Sequence, residues 1–406
     1  MGEGEGMRRL RIVPVVAVVL LAGAACSKDS GTGTTNPTGS GGGGFDCAGG
    51  SIQLGIAKAK TGDFAFFDKT GGQGSMVGVD KINEEGGIDG CKIEVTWEDT
   101  KSDPALAQQV GADLIRQGAQ LLIAPSDFDV GIGASLAAQK AKIFGFSPEA
   151  SSEDWPKAAG PYFVVQGITT GDLGHGQAAF ADKQGWASTY VVTNDAFNFF
   201  TEMEKAFTDT FGGKVLGREV VADDASDYSA VVSKIRDASP APDFVYLNDY
   251  FPHVGTFIKQ LRDAGVDTPV LGNSAYPSPD LAKVIGEDRV SQVYYGTQSY
   301  YEGSDVPPEV ADFVKRYQTE FKTFPENVNA IAGYEGVLML ADALERAGST
   351  DAAAVTKAME EEKNFQLPSS IVYGWEDGHT LRNVPVVGFD DQGNPKLVEN
   401  IDPRSA

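Results

Sequence analysis

Residues 115–151 read IRQGAQLLIAPSDFDVGIGASLAAQKAKIFGFSPEAS, and residues 235–277 read IRDASPAPDFVYLNDYFPHVGTFIKQLRDAGVDTPVLGNSAYP. Both run helix end, strand, loop with an acid and an aromatic, helix, strand, then a small polar loop. Asp127-Phe128 corresponds to Asp249-Tyr250, and Ser147–Ser151 to Gly272–Tyr276. One reading is a duplicated lobe; two ordinary βα units share the same signals. The grammar extends outward from both segments. Ile52–Ala57, Lys92–Trp97, Gln120–Ala124 and Ile143–Ser147 read as strands, separated by helices over Gly74–Glu85, Asp103–Gln117 and Val130–Lys142. Asp103 suits a helix cap and Pro104 the first turn. Tyr190–Thr193, Lys214–Val221, Phe244–Leu247 and Pro269–Gly272 continue as strands, with helices at Thr201–Phe211, Tyr228–Ala238 and Val254–Ala264. The alternation predicts an α/β protein of two doubly wound, parallel-sheet lobes. In such sheets ligands gather beyond the carboxyl ends of the strands. Two facing lobes therefore make the loops of the quoted segments opposite walls of one cleft.

The chain has 406 residues, 41% of them hydrophobic, enough for two cores. Lys plus Arg number 33 and Asp plus Glu 57, a formal charge of −24. So acidic a chain repels phosphate backbones, which argues against nucleic acid as a partner. With three His and three Cys, the sequence offers no metal-ligand spacing and no catalytic triad. His175, His253 and His379 are far apart and read as surface or loop residues. Gly131-Ile132-Gly133, with Glu149 downstream, mimics a dinucleotide fingerprint, but the strand ends near Ala124 and the third glycine position is Leu136. The expectation is no catalytic residue, no cofactor and no metal.

The N-terminus reads as an address. Arg8, Arg9 and Arg11 precede a short apolar run, Ile12 to Leu21, that falls below the roughly 20 residues of a membrane span. LAGAAC at 21–26 resembles a bacterial lipobox, with Cys26 as the lipidated residue and Met1 or Met7 as the start. Residues 1–25 are thus expected to be a lipoprotein signal peptide. Residues 26–50, rich in Gly, Ser and Thr, form a flexible tether. Cys47 and Cys91 then remain as an even pair in an exported chain, each just ahead of a strand. Their disulfide would close a loop of about 45 residues, worth about 4 kcal/mol in the chain-entropy model.

The run TGDFAFFDKTGGQGSMVGVDKINEEGGIDGCKIEVTWEDTKSDP (61–104) resembles the start of the leucine/isoleucine/valine-binding proteins. PDFVYLNDYFPHVGTFIKQLRDAG (242–265) and GYEGVLMLADALERAG (333–348) follow in the family's order. These are substrate-binding proteins of ABC importers with the type I periplasmic-binding fold. The resemblance implies two discontinuous lobes joined by three crossovers, 51–169 plus 300–371 and 170–299 plus 372–406. Val384–Val398 would be a hairpin in the second lobe.

The family's ligand contacts fall on the loop of Ser126, Asp127 and Phe128, which commonly offers a hydroxyl and backbone N–H groups to a carboxylate. They also fall on Glu149, Ala150 and Ser151, and on Phe67 as a covering aromatic. In the second lobe they fall on Phe197, Asn198, Asp249, Tyr250 and Ser274. Ser274 stands where an acid commonly receives the ligand's ammonium, Glu149 where a small residue is usual, and Asn329 near an apolar contact. These departures point away from a branched-chain amino acid and toward a small polar ligand with an amino or cationic group. Glu149, Asp127 or Asp249 would accept that group. The function expected is a lipid-anchored, monomeric solute receptor on the outer face of the cytoplasmic membrane, delivering its ligand to an ABC permease. The alternatives are a ligand-sensing receptor of a signalling system and an extracytoplasmic enzyme with cleft carboxylates.

Overall fold

The computed structural model describes residues 50–276 and 278–405. Cys26 and Cys47 lie outside the described residues, and so do the expected signal and nearly all of the expected tether.

The first sheet begins with strands β1 (Ser51–Lys58), β2 (Lys92–Asp99), β3 (Leu121–Ile123), β4 (Phe144–Ser147) and β5 (Phe163–Val165). Helices α1 (Ala65–Glu84), α2 (Pro104–Arg116), α3 (Phe128–Ala141) and α4 (Trp155–Ala159) connect them. Asp103 caps α2 by accepting the Leu106 N–H, with Pro104 at the first position, as its sequence demands. Helix α1 starts well before Gly74, where the apolar spacing placed it. It runs through Gly71, Gly72 and Gly74 because the surroundings leave no room for side chains. A Cβ at Gly74 would stand 1.7 Å from the Ala330 carbonyl, and one at Gly72 would stand 2.5 Å from Trp97.

The chain then crosses to a second sheet. Its elements are α5 (Thr170–Lys183), β6 (Ser188–Asn194), α6 (Asn198–Thr210), β7 (Lys214–Val221), α7 (Ser229–Arg236) and β8 (Phe244–Asn248). They continue as α8 (His253–Asp263), β9 (Val270–Gly272), α9 (Ser278–Ile285) and β10 (Val293–Gly296). The strand orders β5-β4-β3-β1-β2 and β10-β9-β8-β6-β7 are the same winding, all parallel. The segments β3-α3-β4 and β8-α8-β9, quoted at the outset, hold equivalent places, so the repeat in the sequence is a repeat in topology.

Helices α10 (Pro308–Phe321), α11 (Asn329–Ala347) and α12 (Ala352–Glu360) return to the first lobe and bury Phe313, Tyr334, Val337 and Leu340 with Leu54, Ile56 and Phe146. Next come β11 (Phe365–Gln366), β12 (Ile371–Glu376) and β13 (His379–Arg382). These three extend the first sheet, β13 pairing with β5. The return to the second lobe is therefore at Asn383, not at residue 372. β12 and β13 form a hairpin there, with Asp377 and Gly378 both at positive φ. A hairpin pattern carries no label for the sheet it joins. Strands β14 (Val384–Phe389) and β15 (Pro395–Ile401) pair antiparallel and close the second sheet beside β10. This is the hairpin expected over Val384–Val398.

Candidate interlobe binding site

In both sheets the winding reverses between the first strand and the third, β1 and β3 in one and β6 and β8 in the other. That reversal opens a crevice at the carboxyl ends. Lys58 ends β1. Its side chain is fully buried, with Nζ 2.7 Å from Glu149 Oε2 and 3.6 Å from Asp68 Oδ1. Asp68, in the first turn of α1, accepts the N–H of Ala59 at 2.8 Å and of Ser126 at 2.7 Å. One carboxylate thus ties the start of α1 to the ends of β1 and β3. Burial pushes the Glu149 carboxyl above its ordinary pKa, and the Lys58 charge and hydrogen bond pull it back. Glu149 Oε1 abuts α1, only 2.3 Å from where a Cβ on Gly71 would stand.

The second wall is built the same way. Asn194 ends β6, and its Nδ2 donates to Asp249 Oδ1 at 3.0 Å and to Asp223 Oδ1 at 3.1 Å. Asp249 Oδ1 also accepts the Tyr250 N–H at 2.8 Å and lies 3.4 Å from His253 Nδ1. Burial raises the pKa of Asp249, opposed by Tyr250, Asn194 and His253. Asp223 is exposed, and the hydrogen bonds from Asn194 and from the Tyr250 hydroxyl (2.8 Å) hold its carboxyl below the usual range. The Tyr250 hydroxyl is itself pushed up to about 12 by burial and by Asp223.

Aromatic rings join the two walls. Phe64, ahead of α1, meets Phe197, ahead of α6, with centroids 6.4 Å apart and planes at 83°. Phe197 also stands edge-on to Tyr250 (5.9 Å, 77°), and Tyr250 stacks parallel to Phe200 at 6.0 Å. Behind the rings, the crossovers grip the first lobe. Gln298 Nε2 donates to the Glu149 carbonyl (2.9 Å) and to Ser151 Oγ (3.2 Å), and the Thr170 N–H donates to the Ser151 carbonyl (3.0 Å).

The residues singled out by sequence take these places. Ser126, Asp127, Phe128, Glu149, Ala150 and Ser151 follow β3 and β4, while Asp249, Tyr250 and Ser274 follow β8 and β9. Phe197 and Asn198 start α6. The three acids are engaged within the chain, with Glu149 Oε1 and Asp249 Oδ2 left buried and without a hydrogen-bond partner. Asp127 caps α3 through the Asp129 N–H, Glu149 faces Lys58, and Asp249 faces Asn194 and His253. The Ser126 N–H goes to Asp68. Phe128 lies edge-on to buried Trp155 (5.8 Å), and half-buried Phe67 lies edge-on to Phe66 (5.1 Å). The ring that reaches Phe197 is instead Phe64. Asn329 is buried at the start of α11, its N–H donating to Asn327 Oδ1. Cys91 is buried just ahead of β2.

Sequence reading missed Lys58, Asp68, Phe64, Asn194, Asp223 and Gln298. A signal existed for Lys58 and Asn194: each is the last residue of an apolar strand at the point where the winding reverses. Among the described residues, no cluster of three or more His, Cys, Asp or Glu could hold a metal. No described helix is long and apolar enough to cross a membrane.

A family profile described as "periplasmic binding protein" matches residues 51–394. This chain belongs to the periplasmic binding protein family. Among its relatives, Leu/Ile/Val-binding protein homolog 1 of Brucella melitensis is 26% identical over 358 residues, 80% of this chain and 91% of that protein. The branched-chain amino acid transporter substrate-binding protein LivJ of Streptococcus pneumoniae, solved with isoleucine, shares the fold at TM-score 0.72 and 20% identity. That match covers 86% of this chain and 99% of LivJ. A solute-binding protein of an ABC transporter from R. palustris, solved with 4-hydroxybenzoate, shares it at TM-score 0.70 and 18% identity, over 87% of this chain and 96% of that one. The resemblance to the Leu/Ile/Val-binding proteins and the two-lobed α/β class, both expected from sequence, are borne out. As a member of this family of periplasmic binding proteins, the chain is a substrate-binding protein.

Proposed function

We propose that this periplasmic binding protein captures a small ligand with an amino or other cationic group between its lobes and delivers it to an ABC importer, without chemistry of its own. The observation that carries this reading is the meeting of Phe64 and Phe197 over the carboxyl ends of the two equivalent sheets. Two rings from separate lobes in contact mark the line along which the lobes close. A ligand bound there touches both walls, so its affinity for the closed form exceeds that for the open one, and binding shifts the population toward closure. Ser126, Ser151 and Ser274 supply polar contacts, and the rings supply desolvating faces.

Cys26 carries the lipid, and the Gly/Ser/Thr tract lets the body reorient above the outer face of the cytoplasmic membrane within reach of the permease. Cys47 pairs with Cys91 at the edge of the first sheet, and the protein acts as a monomer. The test is a thermal-shift panel of amino acids, amides, polyamines, substituted ammonium ions and small organic acids. A ligand at a hundredfold its Kd adds about 2.7 kcal/mol of stability. A reproducible shift without turnover of the ligand supports the proposal. Product formation, or no shift across the panel, overturns it.

A further inference from the structure

Phe197 leaves 41% of its surface exposed, although Phe200, one turn further along α6, is buried. An exposed ring at the lip of a cleft is open to contact with a ligand. Its geometry is that of a corner. The Phe197 plane is nearly perpendicular to Phe64 on the opposite lobe and to Tyr250 on its own. Rings at right angles form adjacent walls of a box and can turn their electron-rich faces toward one space. Tyr250 is not free to swing out of that arrangement. Its hydroxyl donates to Asp223 Oδ1, and Asn194 steadies the same oxygen. Asp223 is exposed and ionised, so a full negative charge stands at the edge of the aromatic corner.

The chemistry of the remaining polar atoms narrows the occupant. A free carboxylate on the ligand finds the Ser126 N–H already engaged by Asp68, and meets the acids of both walls. A primary ammonium needs acceptors for three N–H groups. Asp249 Oδ1 already serves Asn194, Tyr250 and His253, and Glu149 Oε2 serves Lys58; the second oxygens, Asp249 Oδ2 and Glu149 Oε1, have no partner but are sealed from solvent. A cation whose charge is spread over carbon needs no such acceptor. It needs aromatic faces and a negative field, and the corner supplies both. The whole chain, at −24, draws cations toward the cleft over a longer range.

We infer that the cleft takes a methylated or otherwise substituted ammonium ion, seated against Phe64, Phe197 and Tyr250 with Asp223 as its counter-charge. This inference rests on the interlobe binding reading above and narrows its ligand class.

The experiment is calorimetric titration of the full chain with choline, with tetramethylammonium, with the neutral analogue of choline in which carbon replaces nitrogen, and with L-leucine. The expected result is binding of the two cations and at least tenfold weaker binding of the neutral analogue. Phe197→Ala and Asp223→Asn, both at exposed positions, each weaken choline by roughly tenfold. Cooperative unfolding of each variant without ligand separates loss of the site from loss of the fold. Equal binding of choline and its neutral analogue overturns the inference, as does full choline affinity in both variants. Binding of L-leucine with neither cation bound overturns the inference and leaves the interlobe reading standing. If neither these compounds nor the wider panel binds, both fall.

Discussion

The ammonium of Lys58 stands 2.7 Å from Oε2 of Glu149, and both side chains are sealed from solvent. The pair gathers the ends of β1 and β4 around the first turn of α1, where Asp68 adds a second carboxylate. Two buried acids share one buried base, so the arrangement is sensitive to the loss of that base.

Lys58→Met leaves Glu149 and Asp68 buried with no cation beside them. Breaking one side of such a pair costs about 3–5 kcal/mol. The single variant should show that loss in urea unfolding. Adding Glu149→Gln should recover part of it, because the second change removes one of the two stranded carboxylates. A Lys58→Met cost below about 1 kcal/mol, the range of exposed pairs, would show that the pair does not act as a buried one.

The crossovers have their own buried pair. Arg382 donates from Nη2 to Glu335 (2.8 Å) and to the Ser370 hydroxyl, and from Nη1 to the Gln166 carbonyl (3.0 Å). Glu335 also accepts the Ser369 N–H and hydroxyl at 2.7 and 2.8 Å. Gln166 and Arg382 lie where the chain leaves the first sheet on two separate passes. Arg382→Met should therefore cost about 3–5 kcal/mol. Glu335→Gln should cost less, because its amide oxygen can still accept from Ser369. Parallel denaturation curves of the two variants check the order.

Asp172, in the first turn of α5, gives a pH signature. Burial raises its pKa from 3.8 to about 6, with Glu153 and Glu376 adding to the rise and His379 and Arg404 opposing it. The folded state therefore holds a proton that the unfolded state releases. The stability from this group is full below about 3.8 and is lost as pH rises through about 6. Asp172→Asn should flatten that part of the curve. Melting temperatures of both proteins between pH 4 and pH 7 test it, and parallel curves would rule Asp172 out as the source.

Much of the architecture could be read directly from the chain. Long apolar runs and strong caps, such as Asp103-Pro104 at α2, mark the alternation from β1 to β4 and from β6 to β9, while α4, β5 and α5 between them are not read, and the repeat between residues 115–151 and 235–277 marks its duplication. Local pattern cannot show where distant segments meet. The glycines of α1 look like a loop until Ala330 and Trp97 are seen against them. Lys58 follows an apolar strand and reads as a solvated end. Its burial depends on acids ten and ninety-one positions further along the chain. For the same reason Glu149, Asp127 and Asp249 could be named as charges near the cleft, but not matched to the groups that neutralise them. Phe197 and Tyr250 could be named only because the resemblance to the Leu/Ile/Val-binding proteins implies aromatics at those positions.

The return of the chain at Asn383 bears on how the molecule comes apart. Each sheet is finished by strands that lie after the other sheet's central strands in the chain, β12 and β13 for the first and β14 and β15 for the second. Neither half is one uninterrupted stretch, so no single cut releases an intact half. Loosening one half pulls directly on the other through three covalent links. A protein wired in this way is expected to melt as one cooperative unit, with the hinge free to bend but not to let the halves unravel separately.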